Sequence, residues 1–191
     1  MGFSSTSQTS LLGRIKLESI FHPSDFSETS EVDFAHALKT ALDSKAKLRM
    51  LHVEANHGAE WQDFPGVRDT LQRWKLIPKG SPKNAVGKLG IDVHKVIASS
   101  KDPVKACLDF LQKHPADLIV LAIRRHEGRM RWLEKSVGKP IARAAGRMTL
   151  FIPHGVEGFV SRRDGSISLR NILIPVTSKP CPQPGLEAAR V

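Results

Sequence analysis

Residues 117–123 read DLIVLAI, one acid followed by six apolar residues from Leu118 to Ile123 without alternation. A half-buried strand alternates apolar and polar residues; a strand covered by helices on both faces is apolar throughout. Six residues is also far short of the roughly 20 that a membrane-crossing helix needs. The run therefore predicts an inner strand of a parallel sheet. Parallel neighbours need long crossover connections, so the rest of the chain should alternate strands with helices.

It does. Residues 17–21 form a short extended run ending at His22-Pro23-Ser24-Asp25, where Pro23 holds the preceding residue out of the α region. Ser27 offers a helix cap, and Val32, Ala35, Leu38 and Leu42 then recur at helical spacing. Residues 47–53 (KLRMLHV) read as a second strand. Residues 67–77 and 83–89 read as short helices stopped by Pro78 and Gly90. Residues 91–98 give a third strand. Asp102-Pro103 then pairs a capping acid with a proline at the first helical position and opens a helix ending near His114-Pro115. After 117–123, a helix over 132–146 and a fifth strand over 148–152 complete the pattern. The expected fold is α/β: a doubly wound, five-stranded parallel sheet, Rossmann-like, with helices on both faces and ligand sites beyond the carboxyl ends of the strands. Those ends carry Pro23-Ser24-Asp25, Val53-Glu54 and Arg124-Arg125.

At 191 residues the chain holds one core of this size plus tails. We read 1–15 as a disordered N-terminal tail, 16–153 as the domain, 154–168 as a linker and 169–191 as something else. Aligned without gaps, the segment from Ile172 repeats the segment from Ile20: Pro175 meets Pro23, Leu186 meets Phe34 and Ala189 meets Ala37. The last stretch thus reads as the truncated opening of a second repeat.

Charge and cysteines narrow the chemistry. The formal net charge is +10, and 124–147 alone holds eight lysines and arginines against Glu127 and Glu134. Such a field favours anionic partners. The single Trp132 in that stretch is too little aromatic interleaving for a nucleic-acid surface, so we expect none. Cys107 and Cys181 have neither disulfide nor metal-ligand spacing. The eight histidines are scattered, so we expect surface or turn histidines and no metal. There is no G-x-S-x-G elbow and no G-x-x-x-x-G-K-[ST] loop, which argues against a hydrolase or a nucleotide-consuming enzyme. The N-terminus lacks a basic region followed by an apolar core, so we expect a cytoplasmic protein with no membrane association.

Four stretches in this order and spacing resemble the universal stress protein family: SIFHPSDFSETSEVDFAHAL, AKLRMLHV, SSKDPVKACLDFLQKHPADLIVLAI and WLEKSVGKPIARAAGRMTLFIP. The resemblance runs over about 16–153, as the N-terminal repeat of a tandem-type member. It implies a five-stranded parallel sheet, pairing of two domains through the fifth strand and a division between ATP-binding and non-binding members. Binding members carry, after the fourth strand, Gly, two residues, Gly, nine residues, Gly and Ser or Thr. Glycines let backbone N–H groups approach phosphate, and the hydroxyl opens a helix whose N-terminus favours anions. This chain has Ala122, Arg125, Lys135 and Ser136 at those four positions.

All three glycines are replaced, which implies a degenerate phosphate loop and no cofactor. The alternative is an ATP or AMP switch in which Arg124, Arg125 and Lys135 supply charge-assisted contacts to an anionic ligand. Asp25 matches the family acid that contacts the nucleoside, or else it is a turn or capping carboxylate. Val53 matches the residue whose backbone faces adenine, or else it is strand packing. Ser136 either bonds phosphate or opens the last helix. The resemblance as a whole implies a non-enzymatic, homodimeric stress-response module that pairs through the strand containing Thr149, Leu150, Phe151 and Ile152.

Overall fold

Strand β4 (Leu118–Ile123) is buried along nearly its whole length, as its unbroken apolar pattern demands. In the computed structural model, which describes residues 16–27, 30–56, 58–123 and 137–173, it is one of five parallel strands. The others are β1 (Ser19–Pro23), β2 (Lys47–Glu54), β3 (Asp92–Ser99) and β5 (Met148–Pro153), in the order β3-β2-β1-β4-β5. Helices α1 (Ser30–Ser44), α2 (Val67–Arg73), α3 (Pro103–Lys113) and α4 (Gly138–Ala145) make the connections. The doubly wound α/β fold is the one the sequence predicts.

The boundaries differ where local chemistry decides. β1 is shifted two residues later than its apolar run, because Pro23 still fits an extended chain end and sits in register with Leu51. Residues 83–89 are two single 3₁₀ turns, Lys83–Ala85 and Gly87–Leu89, closed by Gly90 at φ +80°. Asp102 caps α3 as expected, its carboxylate accepting from the Lys105 backbone N–H at 2.9 Å.

Because side chains alternate along a strand, β1 serves two layers. Phe21 faces α3 and α4 and joins Leu51, Cys107, Leu111, Ile119, Leu121 and Ile141 in one core cluster, its ring stacked on Phe110 at 5.5 Å. Ile20 and His22 point to the opposite layer, where α1 contributes Phe34, Ala37, Leu38 and Ala41. Burying a side chain such as Leu38 fully is worth about 1.5–3 kcal/mol, and α1 buries every residue from Asp33 to Leu38. A helix on a sheet surface normally buries one stripe only.

The second cover is residues 154–168, the stretch read as a linker. Leu17–Ser168 is one compact unit, and this stretch is its outer strap. The His36 imidazole accepts the Phe159 and Val160 N–H groups, and the Arg162 carbonyl accepts from Arg73 Nε and Trp74 Nε1. A short antiparallel bridge, Val160 with Ile167, folds the strap on itself. Two histidines expected at surfaces or turns are therefore fully buried: His22 beneath α1 and His36 beneath the strap. Beyond it, residues 169–173 are exposed and carry no strand. The rest of the expected second repeat, like the N-terminal tail, lies outside the described residues.

Candidate functional site

Strands β1 and β4 leave the sheet's middle in opposite directions, β1 leading to α1 and β4 toward α4. That reversal opens a crevice beyond their carboxyl ends. A cavity of about 440 Å³ occupies it. Its walls are Pro23 at the end of β1 and Asp25 just after it, Leu51 and Val53 on β2, Leu121 and Ala122 on β4, Cys107 on α3, and Gly138 and Ile141 on α4. Ser24, Ser30, Asp33, His52 and His154 add polar groups.

The β1–α1 corner is fixed by its own hydrogen bonds. Asp25 Oδ1 accepts from the Ser27 N–H at 3.0 Å and from Ser27 Oγ at 2.6 Å, an Asx-type turn. Ser24 and Ser30 join hydroxyl to hydroxyl at 2.9 Å, tying the strand end to the first turn of α1. Between them Phe26 takes φ +60°, a left-handed conformation that costs a non-glycine residue about 1–2 kcal/mol. Its ring lies on His52, centroids 3.8 Å apart and 13° from parallel, and meets Phe64 edge-on. His52 Nδ1 donates to the Ser24 carbonyl at 2.8 Å, so its ring is held from two sides at the cavity wall.

Asp33 is the unusual group. It sits one turn into α1, is 2% exposed, and its Oδ2 has no hydrogen-bond partner among the described residues. Burial pushes its carboxyl up to about 7, with the negative charge of Asp25 adding to the effect. Asp25 and Asp33 thus stand together at one end of the cavity. Burial also pushes the Cys107 thiol up to about 12, so it is a wall and not a nucleophile at neutral pH. At the other end a Cβ on Gly138 would lie 3.4 Å from the Ala122 carbonyl, which brings the start of α4 against the end of β4. Backbone N–H groups at such a helix start favour negative charge.

Of the site residues expected from sequence, Asp25, Val53 and Ala122 line this cavity. Arg125, Lys135 and Ser136, with Arg124 and Trp132, lie outside the described residues. Sequence reasoning missed Asp33, Ser30, His52, Gly138 and His154. For Asp33 the signal was available: it stands four residues before Ala37 and eight before Ala41, on the buried stripe of α1. Among the described residues there is no metal-binding group of acids, histidines and cysteines, and no helix long and apolar enough to cross a membrane.

A five-stranded parallel sheet of this order, with a cavity at its switch point, defines a doubly wound, Rossmann-like α/β domain as a class. The chain belongs to the universal stress protein family, whose sequence profile matches residues 17–153. No curated protein matches it. Among solved structures it is similar to a universal stress protein from Archaeoglobus fulgidus DSM 4304, at 18% identity and TM-score 0.52, covering 75% of this chain and 46% of that one. UspA from Lactobacillus plantarum is similar at 19% identity and TM-score 0.44, covering 72% and 98%. So is the Archaeoglobus fulgidus universal stress protein in complex with dAMP, at 18% and TM-score 0.43, covering 72% and 99%.

Proposed function

We propose that this chain is a non-enzymatic, cytoplasmic stress-response module whose switch-point cavity takes the nucleoside part of an adenine nucleotide. The observation that carries this reading is the cavity itself: about 440 Å³, with Asp25, Val53 and Ala122 on its walls. Apolar side chains with a few fixed polar groups suit a flat base and a ribose. The start of α4 supplies an electropositive end for phosphate. Replacement of the three motif glycines leaves phosphate recognition to Arg124, Arg125 and Lys135, charge-assisted contacts in place of backbone amides. β5 is an edge strand, and pairing with β5 of a second copy protects that edge and makes the module a homodimer.

The test is thermal unfolding with millimolar adenosine, AMP or Mg-ATP, alongside native mass spectrometry for copurified nucleotide. Ligand at 100 times its Kd adds about 2.7 kcal/mol, a rise of several degrees for this size. The rise should vanish in Asp25→Ala. No rise with any of the three, and no copurified nucleotide, would overturn the nucleotide reading and leave a ligand-free interaction module.

A further inference from the structure

We infer that the strap of residues 154–168 is a pH-sensitive latch, held closed on α1 by the neutral His36 imidazole and released when that ring is protonated. The geometry fixes the ring's protonation state. Nδ1 faces the Val32 carbonyl at 2.7 Å and must carry the proton. Nε2 faces the N–H groups of Phe159 at 2.9 Å and Val160 at 3.1 Å and must be the acceptor for both. A proton on Nε2 would set three donors against one another with no acceptor among them, so the ring cannot charge while the strap is closed. Burial lowers its proton affinity in the same direction.

The strap is shaped around this ring. Phe159 meets it edge-on, centroids 4.5 Å apart. Gly158 has φ +72°, and a Cβ there would fall 2.4 Å from the imidazole. At the strap's other end Gly165, at φ +70°, lies flat on Trp74, where a Cβ would come within 2.6 Å of the indole. Any side chain at either position would hold the strap off the helices.

The charged groups on the elements around His36 do not offset its protonation. On α1, Glu31 pairs with Arg162 at 3.5 Å and Lys39 with Asp43 at 2.9 Å. Asp33 is itself taking up a proton in the same pH range. On α2, the Arg73 guanidinium is bonded to the Arg162 carbonyl and Thr70, and Asp69 lies beside Lys95. On the strap, Asp164 is held by Ser166; Glu157 and Arg163 are exposed. Beneath α1, His22 is buried and neutral. None of these carboxylates hydrogen-bonds the His36 ring. Lowering the pH therefore opens the strap while the sheet stays folded, uncovering Trp74 and the outer face of α1.

The test is amide hydrogen exchange of the full chain between pH 7 and pH 5, corrected for intrinsic rates, with an NMR titration of the His36 ring. Protection of the Phe159 and Val160 amides should fall about tenfold per pH unit once the pH drops below the pKa of the ring in the open strap, while sheet amides such as that of Val120 hold. The ring should be half protonated where the strap is half open. In His36→Gln the ratio of protection at pH 7 to that at pH 5 should fall to one, and Gly158→Ala should leave both amides unprotected at either pH. The latch is overturned if His36 takes up its proton with Phe159 and Val160 still protected, if His36→Gln keeps the wild-type pH dependence, or if the sheet amides open in step with the strap.

Discussion

Replacing Asp33 by Asn should unmask a pH dependence of stability that the native protein conceals. His22 and Asp33 are both buried on the α1 side, and their proton affinities are displaced in ways that oppose each other. Burial pushes His22 from 6.5 down to about 4, against the weaker opposing effect of its bond to the Val120 carbonyl. Its stability contribution is therefore complete above pH 6.5 and is lost as pH falls toward 4, because the unfolded chain takes up a proton that the native state refuses. Asp33 goes from 3.8 up to about 7, so its buried charge destabilises the native state above pH 7. That penalty fades as pH falls and the native state takes up the proton first. Between pH 7 and pH 5, linkage gives a loss of about 2 kcal/mol from His22 and a gain of about 2 kcal/mol from Asp33. The two nearly cancel. In Asp33→Asn the gain is gone, so urea unfolding at pH 7, 6 and 5 should show the variant losing about 2 kcal/mol more than wild type over that interval. Parallel stability curves for the two proteins would refute the assignment. His22→Leu should give the mirror image, growing more stable than wild type as the pH falls.

Gly165→Val should lower the melting temperature by several degrees in calorimetry, since it forces a branched residue into φ +70° against the Trp74 ring. Phe34→Ala, at a buried position on α1, should cost about 3–5 kcal/mol in urea unfolding. Cys107 should resist alkylation in the native protein at pH 8 and react at the normal rate in urea, as followed by mass spectrometry in a Cys181→Ser background. Light scattering across a concentration series should show a dimer dissociating to monomer on dilution; a monomer at every concentration would refute pairing through β5.

What the sequence disclosed and what it withheld divide along physical lines. Features encoded by neighbouring residues were legible: the unbroken apolar run of β4, the capping Asp102-Pro103 pair and the glycine stop at Gly90 each specify local structure with little help from the rest of the chain. So were Asp25, Val53 and Ala122, which stand at strand ends and so fall at the switch point of any sheet with this order. The 154–168 strap was not legible, because its attachment depends on partners more than 80 residues away: His36 for Phe159 and Val160, and Trp74 for Arg162. A stretch with glycines and no periodicity reads as a loop whether it is solvated or packed.

Missing the strap is also why α1 was misjudged. Its apolar positions Val32, Ala35, Leu38 and Leu42 describe a helix with one buried stripe, which leaves His36 as a polar residue of no consequence. With the strap in place the helix is covered on two sides, and His36, like Asp33 on the cavity side, is a buried ionisable group that must stay uncharged or be stabilised by a partner. His36 has such partners in the strap's N–H groups. Asp33 lies where α1 borders the cavity, with one oxygen lacking a partner. A covered helix with an acid at its cavity end is a route by which proton uptake, strap position and cavity charge come to share one element. Opening the strap frees the side of α1 opposite the sheet, and ionising Asp33 loads the side facing the cavity. The corner of Ser24, Asp25, Phe26 and His52, bonded and stacked within itself, is the rigid frame against which either change would be felt.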